Sequence, residues 1–173
     1  MIPTTKELQR GWNAAAKNYA RTLEKANLQL GLSLARMMNI TSAKNILEVG
    51  CGSGLLTFHL LPNLLPKGVK YTSLDISDEM IKLAQEKMDI LKFQMSHVDH
   101  MFVQGDAEDL HFVSNQTIDA YLASLCLHLV TDPNRALTEA MRVTKKGGKI
   151  AFSVLGKSEN CTFTKIFHDR QGI

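Results

Sequence analysis

Apolar and polar positions follow two different periods along the chain. Near the start, apolar side chains recur at steps of three and four residues: Tyr19, Leu23, Ala26, Leu30, Leu34 and Met37. This is the period of an amphipathic helix. Thr4 and Glu7 have the spacing of a capping box, in which the two residues bond each other's backbone at a helix start. The pattern therefore predicts a helical region over residues 4–39.

Further along, five short apolar runs have the length and composition of buried strands. They read "NILEV", "VKYTSLD", "HMFVQGD", "IDAYLAS" and "KIAFSVL". Helices are predicted between them: one after the glycines that stops near Pro62, one from an N-cap at Ser77 to about Met88, and one from Asp132 to the glycines at 147 and 148.

Strands that alternate with helices pair in parallel through right-handed crossovers. The predicted fold is therefore an α/β protein with a doubly wound, mostly parallel, Rossmann-like sheet. Residues 1–40 are interpreted as an N-terminal helical arm, and residues 41–173 as the α/β domain that binds the ligand.

Composition places the chain among ordinary globular proteins. Of its 173 residues, 45% are apolar and 21% are charged, which suits one domain with a substantial core. Net charge is +3, from 20 basic and 17 acidic side chains without a long basic run, so a nucleic-acid partner is not indicated.

Cysteine usage and hydropathy predict a cytoplasmic, soluble protein. The three cysteines are odd in number and form no CxxC pair, as free thiols in a reducing compartment do. No signal peptide is recognised at the start, and the apolar stretch 55–69 is broken by His59, Pro62 and Pro66, so we expect no membrane segment. His97 and His100 are expected at the surface and show no metal-ligand spacing, so no metal is predicted.

The stretch "LEVGCGSGLL" suggests where a ligand binds. In a doubly wound sheet, ligands bind beyond the carboxyl ends of the strands, where strand order reverses. Gly50, Gly52 and Gly54 allow a tight turn that brings a ligand close to backbone N–H groups. Asp75 ends the next strand, where a carboxylate can accept hydrogen bonds from both hydroxyls of a ribose. A nucleoside ligand follows, although a purely structural turn would also explain the glycines.

The glycine spacing separates two nucleoside classes. Binders of nicotinamide and flavin dinucleotides use GxGxxG, whereas this chain has GxGxG with Glu48 two residues before it. A carboxylate repels a pyrophosphate but attracts the ammonium and sulfonium of S-adenosylmethionine. A nicotinamide-dependent dehydrogenase is therefore disfavoured.

Four segments carry a family resemblance: "ILEVGCGSG", "SLDISDEMIKLA", "VQGDAEDL" and "RALTEAMRVTKKGGKIAFSVL". Together they resemble class I S-adenosylmethionine-dependent methyltransferases over roughly residues 45–155. The segment "WNAAAKNYA" is similar to the lead-in helix of the small-molecule methyltransferases of ubiquinone biosynthesis. The resemblance implies an enzyme that transfers a methyl group from S-adenosyl-L-methionine to a small-molecule acceptor, leaving S-adenosyl-L-homocysteine.

The resemblance also implies which residues hold the cofactor. They are Tyr19, Glu48, Gly50, Gly52, Ser53, Gly54, Asp75, Ile76, Met80, Gly105, Asp106, Ala107, Ser124 and Leu125. Glu48 would support the glycine loop and the amino group, Asp75 would hold the ribose, and Asp106 would accept from the adenine amine. Each has a plain structural alternative: Ile76 and Met80 could be core, and Asp106 could cap a turn.

His128 is the hypothesis for a catalytic residue. It lies four residues beyond Ser124, at the rim where acceptors approach, and could act as a base or orient the acceptor. A structural histidine bonded to a loop carbonyl is the alternative. Trp12, on the arm, could contact the cofactor or simply pack against apolar neighbours.

The region after the fifth strand departs from the family pattern. The family's sheet has seven strands, but only eighteen residues follow Leu155. The fifth strand would then form an open edge. The chain could be a shortened form, a partner or second copy could cover the edge, or a helix at "FTKIFHDRQ" could do so. The alternative function is a cofactor-binding module or partner subunit with little turnover of its own.

Overall fold

The computed structural model describes residues 3–95 and 97–156. Its helices are α1 (Thr5–Thr22), α2 (Glu24–Met37), α3 (Leu55–Asn63), α4 (Asp78–Met95) and α5 (Pro133–Val143). Its strands are β1 (Asn45–Val49), β2 (Lys70–Asp75), β3 (Asp99–Gln104), β4 (Ile118–Ser124) and β5 (Thr144–Ser153), and a short 3₁₀ turn (Ile40–Ser42) precedes β1.

The five strands form one parallel sheet in the order β3-β2-β1-β4-β5. The chain starts in the centre with β1, adds β2 and β3 on one side, and returns to add β4 and β5 on the other. Strand order therefore reverses between β1 and β4, and the carboxyl ends of these strands are where a doubly wound sheet binds its ligand. The predicted fold class is confirmed.

Apolar side chains form a core on each face of the sheet. Ile46 and Leu47 are adjacent in β1 and belong to different core clusters, because successive side chains of a strand point to opposite faces. Helices α2 and α3 cover the first face, where α2 contributes Ala35 and its C-cap Met38 packs beside it, and α5 covers the second. Helix α2 thus shares the core of the sheet, while the division of the chain at residue 40 stays a prediction.

The predicted helix caps are confirmed by the hydrogen bonds at three helix starts. Thr4 and Glu7 form the reciprocal capping box of α1. The Ser77 hydroxyl accepts from the Met80 backbone N–H at 3.1 Å, at the start of α4. The Asp132 carboxylate accepts from two backbone N–H groups in the first turn of α5. Each cap satisfies N–H groups that have no partner within the helix.

Helix lengths differ from the sequence prediction at two places. The predicted helix over residues 4–39 is divided at Leu23 into α1 and α2, which lets α1 pack on α4 while α2 packs on α3. Helix α4 continues beyond Met88 to Met95. These bounds follow from tertiary packing, which the hydrophobic period of the sequence does not reveal.

The end of α5 was predicted too late. The helix ends at Val143, and Thr144 already pairs with Ile118 as the first residue of β5. The next pair is Ala120 with Lys149, so residues 145–148 form a bulge, with Gly147 at φ +80°. The glycines therefore shape a bulge inside a strand instead of ending a helix.

His100 is not the surface residue that was predicted. It is half-buried on β3, its Nε2 lies 3.2 Å from the Ser73 hydroxyl, and its ring packs edge-on against Phe102. Burial lowers the pKa of His100 to about 4. The prediction failed because the alternation of β3 points this side chain toward the core side of the sheet.

Among the described strands, β5 pairs with β4 and its other edge is open, with Phe152 and Val154 about half exposed. The predicted helix at 163–171 and its cover of this edge lie outside the described residues. Within the ranges that the structure describes, no helix is both long and apolar enough to cross a membrane.

Candidate functional site

A cleft lies at the carboxyl ends of β1, β2 and β4, under helix α1. About 640 Å³ of empty space lies between its walls, including space that is open to solvent. Eleven of the fourteen predicted cofactor residues line it: Tyr19, Gly50, Gly52, Asp75, Ile76, Met80, Gly105, Asp106, Ala107, Ser124 and Leu125. Residues distant in the sequence are therefore brought together in one cleft at the reversal point of the sheet.

The glycine loop between β1 and α3 has a backbone that other residues rarely adopt. Gly50, Gly52 and Gly54 have φ of 71°, 56° and 83°. A Cβ at Gly50 would lie 2.7 Å from both Cβ and Sγ of Cys126, far inside contact distance. The backbone N–H of Gly50 donates to the Leu74 carbonyl at 2.8 Å, which ties the loop to β2. Glycine is thus required at position 50 for two reasons: the positive φ of the turn and the close contact with Cys126, which follows β4.

Asp75 joins the two loops that border the cleft. Its Oδ2 accepts from the Gly52 backbone N–H at 2.8 Å, and its Oδ1 accepts from the Ser77 backbone N–H at 2.9 Å. Burial raises the pKa of Asp75, and these amide hydrogen bonds oppose the shift. A carboxylate oxygen has two lone-pair sites, so each oxygen keeps acceptor capacity toward the cleft.

Glu48 lies beside the cleft and not in its wall. It is 3% exposed, and its Oε2 accepts hydroxyl hydrogen bonds from Thr57 at 2.6 Å, Tyr71 at 2.8 Å and Ser73 at 3.4 Å. Burial raises the pKa of Glu48 to about 7, against the effect of these hydroxyls. The carboxyl borders a smaller adjoining pocket. That pocket shares Tyr19, Gly50 and Ser124 with the cleft.

Ser53 and Gly54 support the loop from behind. The Ser53 hydroxyl donates to the Glu24 carboxylate at 2.7 Å, and Lys87 Nζ donates to the Ser53 carbonyl at 3.0 Å and contacts its hydroxyl. Lys87 also pairs with Glu24 at 3.4 Å. A Cβ at Gly54 would lie 2.8 Å from the ring of Phe58. Neither predicted residue lines the cleft, and their direct contact with a cofactor stays a prediction.

The wall formed by β2, α4 and the end of β3 is mostly apolar. Met80 is buried and, with Ile76 and Ala107, lines the cleft. Asp106 lines it too, while its Oδ1 accepts from the Glu108 backbone N–H at 2.9 Å. Asp106 can therefore cap the turn and line the cleft at once, because only one of its two carboxylate oxygens is used in the turn.

Helix α1 lies along the open side of the cleft. Leu8, Trp12 and Tyr19 line it, and the Trp12 and Tyr19 rings pack edge to face with centroids 5.7 Å apart. Asn13 holds α1 to the start of α4. Its side-chain amide donates to Asp78 at 2.6 Å, and its oxygen accepts from the Ser77 hydroxyl at 2.6 Å.

Sequence reasoning missed three residues that hold the site together. They are Asn13, Glu24 and Lys87, whose partners lie between 29 and 65 positions away in the chain. Their residue types are common at helix surfaces, so no local pattern marks them. Glu24 begins α2, where an acid is favourable near the positive helix end, but the sequence pattern does not mark a helix start there.

His128 does not line the cleft, although Cys126 and Leu129 on either side of it do. Its Nδ1 is buried and has no hydrogen-bond partner in the described part of the chain, and burial lowers its pKa. The proposed bond to a loop carbonyl is therefore not formed at that nitrogen. Its catalytic role stays a prediction.

The fold is that of an α/β protein with a Rossmann-like sheet, and the cleft lies where such sheets bind their ligands. A family model described as "Methyltransferase domain" matches residues 47–152. The chain belongs to the class I S-adenosylmethionine-dependent methyltransferases.

Two curated relatives illustrate the family. A phthiotriol/phenolphthiotriol dimycocerosates methyltransferase of Mycobacterium leprae (strain TN) is 34% identical over 134 residues, which are 78% of this chain and 46% of the relative. The ubiquinone/menaquinone biosynthesis C-methyltransferase UbiE of Idiomarina loihiensis is 30% identical over 122 residues, which are 70% of this chain and 47% of the relative. The chain spans about half the length of these curated relatives.

Solved structures show the same fold at low sequence identity. The [4+2]-cyclase SpnF aligns with a TM-score of 0.72 and 20% identity, over 87% of this chain and 60% of that one. Its description names a cyclase, so this likeness speaks for the fold and not for methyl transfer.

Proposed function

We propose that the chain binds S-adenosylmethionine in the cleft and transfers its methyl group to a small-molecule acceptor. One observation carries the proposal. The bare backbone of the glycine loop is hydrogen-bonded, through the Gly52 N–H, to the Asp75 carboxylate of the neighbouring strand. The Asp75 carboxylate can accept hydrogen bonds from ribose hydroxyls, and the glycine loop lets a ligand approach the backbone closely. The two therefore lie side by side where the strand order of the sheet reverses.

The residues present suit each part of this cofactor. Asp75 has free lone pairs for the two ribose hydroxyls. Ile76 and Met80 form an apolar wall for the adenine, and the second oxygen of Asp106 would accept from its amine. Glu48, behind the shared pocket, supplies negative charge where the cationic amino-acid end would lie. A Cβ at Gly50 would lie 2.7 Å from the side chain of Cys126, which also lines the cleft.

The cofactor supplies an electrophilic methyl group on a sulfonium, a good leaving group. The chain's contribution is to hold the acceptor atom in line with that group, and such proximity lowers barriers by about 7–11 kcal/mol in the best intramolecular cases. We propose that His128 takes the acceptor's proton or orients the acceptor. Because burial lowers its pKa, the ring is neutral at pH 7 and one nitrogen is able to accept a proton.

An acceptor with an apolar portion suits the rim of the cleft. Leu8, Trp12, Leu129 and Val130 line this region. The relatives' names support an apolar acceptor, because one names phthiotriol and phenolphthiotriol dimycocerosates and another names ubiquinone and menaquinone biosynthesis. Acceptor contacts differ between proteins of one fold, so the atom methylated is left open.

A cytoplasmic location and a partner at the sheet edge complete the proposal. Cys51 and Cys126 are free thiols, which suits a reducing compartment. The exposed Phe152 on β5 and Val154 directly after it favour cover by a second chain, either another copy or a different protein. Size-exclusion chromatography with mass detection would measure that association, and a monomer at all concentrations would rule out self-association.

Calorimetric titration with S-adenosylhomocysteine, S-adenosylmethionine and NAD⁺ tests the cofactor. We expect the first two to bind and NAD⁺ not to bind, and a preference for NAD⁺ would overturn the proposal. Turnover is then measured as transfer of a labelled methyl group to a panel of fatty acids and quinone precursors. Cofactor binding without transfer to any acceptor would favour the binding-module alternative.

His128→Ala tests the catalytic histidine, with the exposed His111→Ala as the matched control. A catalytic role requires methyl transfer to fall more than about fivefold with cofactor affinity unchanged, since loss of a general base typically costs about 10²–10⁴-fold. A smaller loss, or an equal loss in the control, would make the role untenable.

A further inference from the structure

Glu48 is a buried carboxyl group with no positive partner. Three hydroxyl groups surround its Oε2, from Thr57 on α3 and from Tyr71 and Ser73 on β2. Among the residues that the structure describes, no Lys, Arg or His makes an ion pair with it. An ionised carboxylate in such a place is costly unless a cation compensates it, so the carboxyl group favours its proton.

The charged groups nearest to Glu48 do not relieve this cost. From β2, the Asp75 carboxylate raises the pKa of Glu48. From α2, Glu24 borders the same small pocket and adds negative charge, and Lys87 of α4 is held by that carboxylate and by Ser53. Lys87 is thus already engaged by other groups.

The remaining titratable neighbours are neutral near pH 7. Tyr71 and the Cys51 thiol have pKa values raised well above their ordinary values by burial. His100, which reaches Glu48 through Ser73, has a pKa of about 4 because it is buried. On β4, the strand on the other side of β1, the residue paired with Glu48 is Leu122. Within the described part of the chain, no neighbouring element pairs a cation with Glu48.

A ligand is the remaining source of positive charge. Glu48 borders the pocket that shares Tyr19, Gly50 and Ser124 with the cleft, so the pocket continues the cleft on the β1 side. Asp75 would hold the ribose on the β2 side. A nucleoside with an amino-acid substituent would then direct its ammonium group into the small pocket beside Glu48.

We propose that Glu48 carries a proton in the ligand-free chain and releases it to solvent when the ligand's ammonium group enters this pocket. The released proton comes from the carboxyl oxygen, and no other bond forms or breaks. Cofactor binding and proton release are then one event. The inference rests on the proposed function, because it needs an S-adenosylmethionine-type ligand.

The size of the effect follows from the acidity of Glu48. Burial raises its pKa to about 7, so about half of the chains carry this proton at pH 7. When only the ionised form binds, apparent affinity scales with its fraction. We expect release of about half a proton per ligand at pH 7 and an affinity about fivefold weaker at pH 6 than at pH 7. Amino groups stay largely protonated over this range.

Calorimetric titration of S-adenosylhomocysteine at pH 7 in phosphate and in Tris tests the proposal, because the two buffers differ in ionisation heat. The difference between the two binding heats gives the number of protons released. The matched probe is 5′-methylthioadenosine, which keeps the nucleoside and lacks the amino-acid end. We expect about half a proton for the first ligand and none for the second. This comparison cancels any contribution from Asp75 at the ribose.

Glu48→Gln keeps the size of the side chain and removes its proton equilibrium. We expect this variant to bind S-adenosylhomocysteine without proton release and with equal affinity at pH 6 and pH 7. Tyr71→Phe removes one hydroxyl that stabilises the ionised form. It should therefore shift the pH midpoint of affinity upward, and it keeps the test decisive should the Gln variant not fold.

The outcomes separate the two claims. Binding of S-adenosylhomocysteine without proton release overturns this inference and leaves the proposed function standing. Equal proton release with 5′-methylthioadenosine also overturns it, since the amino-acid end is then not the cause. Failure of S-adenosylhomocysteine to bind at all overturns both.

Discussion

Two buried carboxyl groups stand at or near the ends of neighbouring strands, and they are held in different ways. Asp75 on β2 is fixed by backbone N–H groups of Gly52 and Ser77. Glu48 on β1 is surrounded by the hydroxyls of Thr57, Tyr71 and Ser73. Backbone donors belong to the chain path itself, whereas hydroxyl donors depend on three side chains.

The difference separates a geometric role from an electrostatic one. Asp75 links the glycine loop to the start of α4, so it sets the shape of the cleft as well as forming the proposed ribose contact. Glu48 links no two loops and has a pKa of about 7, so its charge responds to a ligand. Variants at and around the two ends of the cleft should therefore lose different properties.

The largest expected effect is on the loop that both carboxyl groups serve. Gly50→Ala combines a φ of +71° with a Cβ 2.7 Å from Cys126. The left-handed backbone costs about 1–2 kcal/mol and the overpacking a similar amount, so we expect a loss of about 3 kcal/mol in unfolding free energy. Denaturant unfolding measures it.

Gly68→Ala is the matched control for the loop. Gly68 has a φ of +80°, but a Cβ there would meet nothing within 4 Å. We expect a loss of only about 1 kcal/mol, from the backbone alone. Equal losses in the two variants would mean that the contact with Cys126 is not what requires a glycine at position 50.

The second largest effect is expected at Asp75, the proposed ribose contact. Asp75→Ala removes a charged acceptor and leaves the Gly52 and Ser77 amides without their partner. We expect about a 100-fold loss of affinity for S-adenosylhomocysteine, or about 3 kcal/mol, measured by calorimetry. Asp89→Ala, on the exposed side of α4, is the control and should bind normally. A loss below about fivefold would remove Asp75 from the binding account.

Glu48 should instead affect how the stability of the ligand-free chain varies with pH. Burial raises the pKa of Glu48 from 4.5 to about 7 in the folded chain, so the folded chain holds this proton more tightly than the unfolded chain. The resulting stabilisation of the fold is complete below pH 4.5 and is lost as pH rises through 7. We expect wild type to lose about 2 kcal/mol relative to Glu48→Gln between pH 5 and pH 8.

Denaturant unfolding of both proteins at the two pH values measures this difference. The comparison with the Gln variant cancels the other titrating groups, among them His100. Parallel pH curves would show that Glu48 is ionised in the ligand-free chain over the whole range.

The smallest expected effect concerns helix α1. Asn13→Ala removes two hydrogen bonds of 2.6 Å that hold α1 to Ser77 and Asp78. We expect affinity for S-adenosylhomocysteine to fall about fivefold to tenfold, through looser placement of Trp12 over the cleft. Gln9→Ala, whose bond to Asp78 is 3.4 Å, should change affinity less than about twofold. Similar losses of affinity in both variants would show that the hydrogen bonds of Asn13 do not hold α1 specifically.

How far the sequence predicted the structure depended on the range of the interaction. Strand β1, the caps at Thr4 and Asp132 and the alternation of strands and helices were predicted correctly, because each arises between residues a few positions apart. The end of α5 was predicted wrongly, since pairing of Thr144 with Ile118 overrides the local helical pattern.

The cleft shows the same division. Its glycine loop and Asp75 could be predicted, because their residue types are rare in combination and their spacing reflects one βα unit. The side chains behind them could not. Asn13 and Lys87 look like ordinary helix-surface residues until the fold brings them to Ser77 and to Ser53.

By itself, the sequence determined the parallel α/β architecture and the place of the cleft at the glycine loop, because hydrophobic period and glycine spacing are properties of contiguous residues. Only the tertiary structure decided that Glu48 lies among hydroxyl groups and forms no ion pair with any residue that the structure describes. Burial and charge pairing are set by what distant segments bring to a position. A carboxyl group's acidity therefore belongs to the folded chain and not to its local sequence.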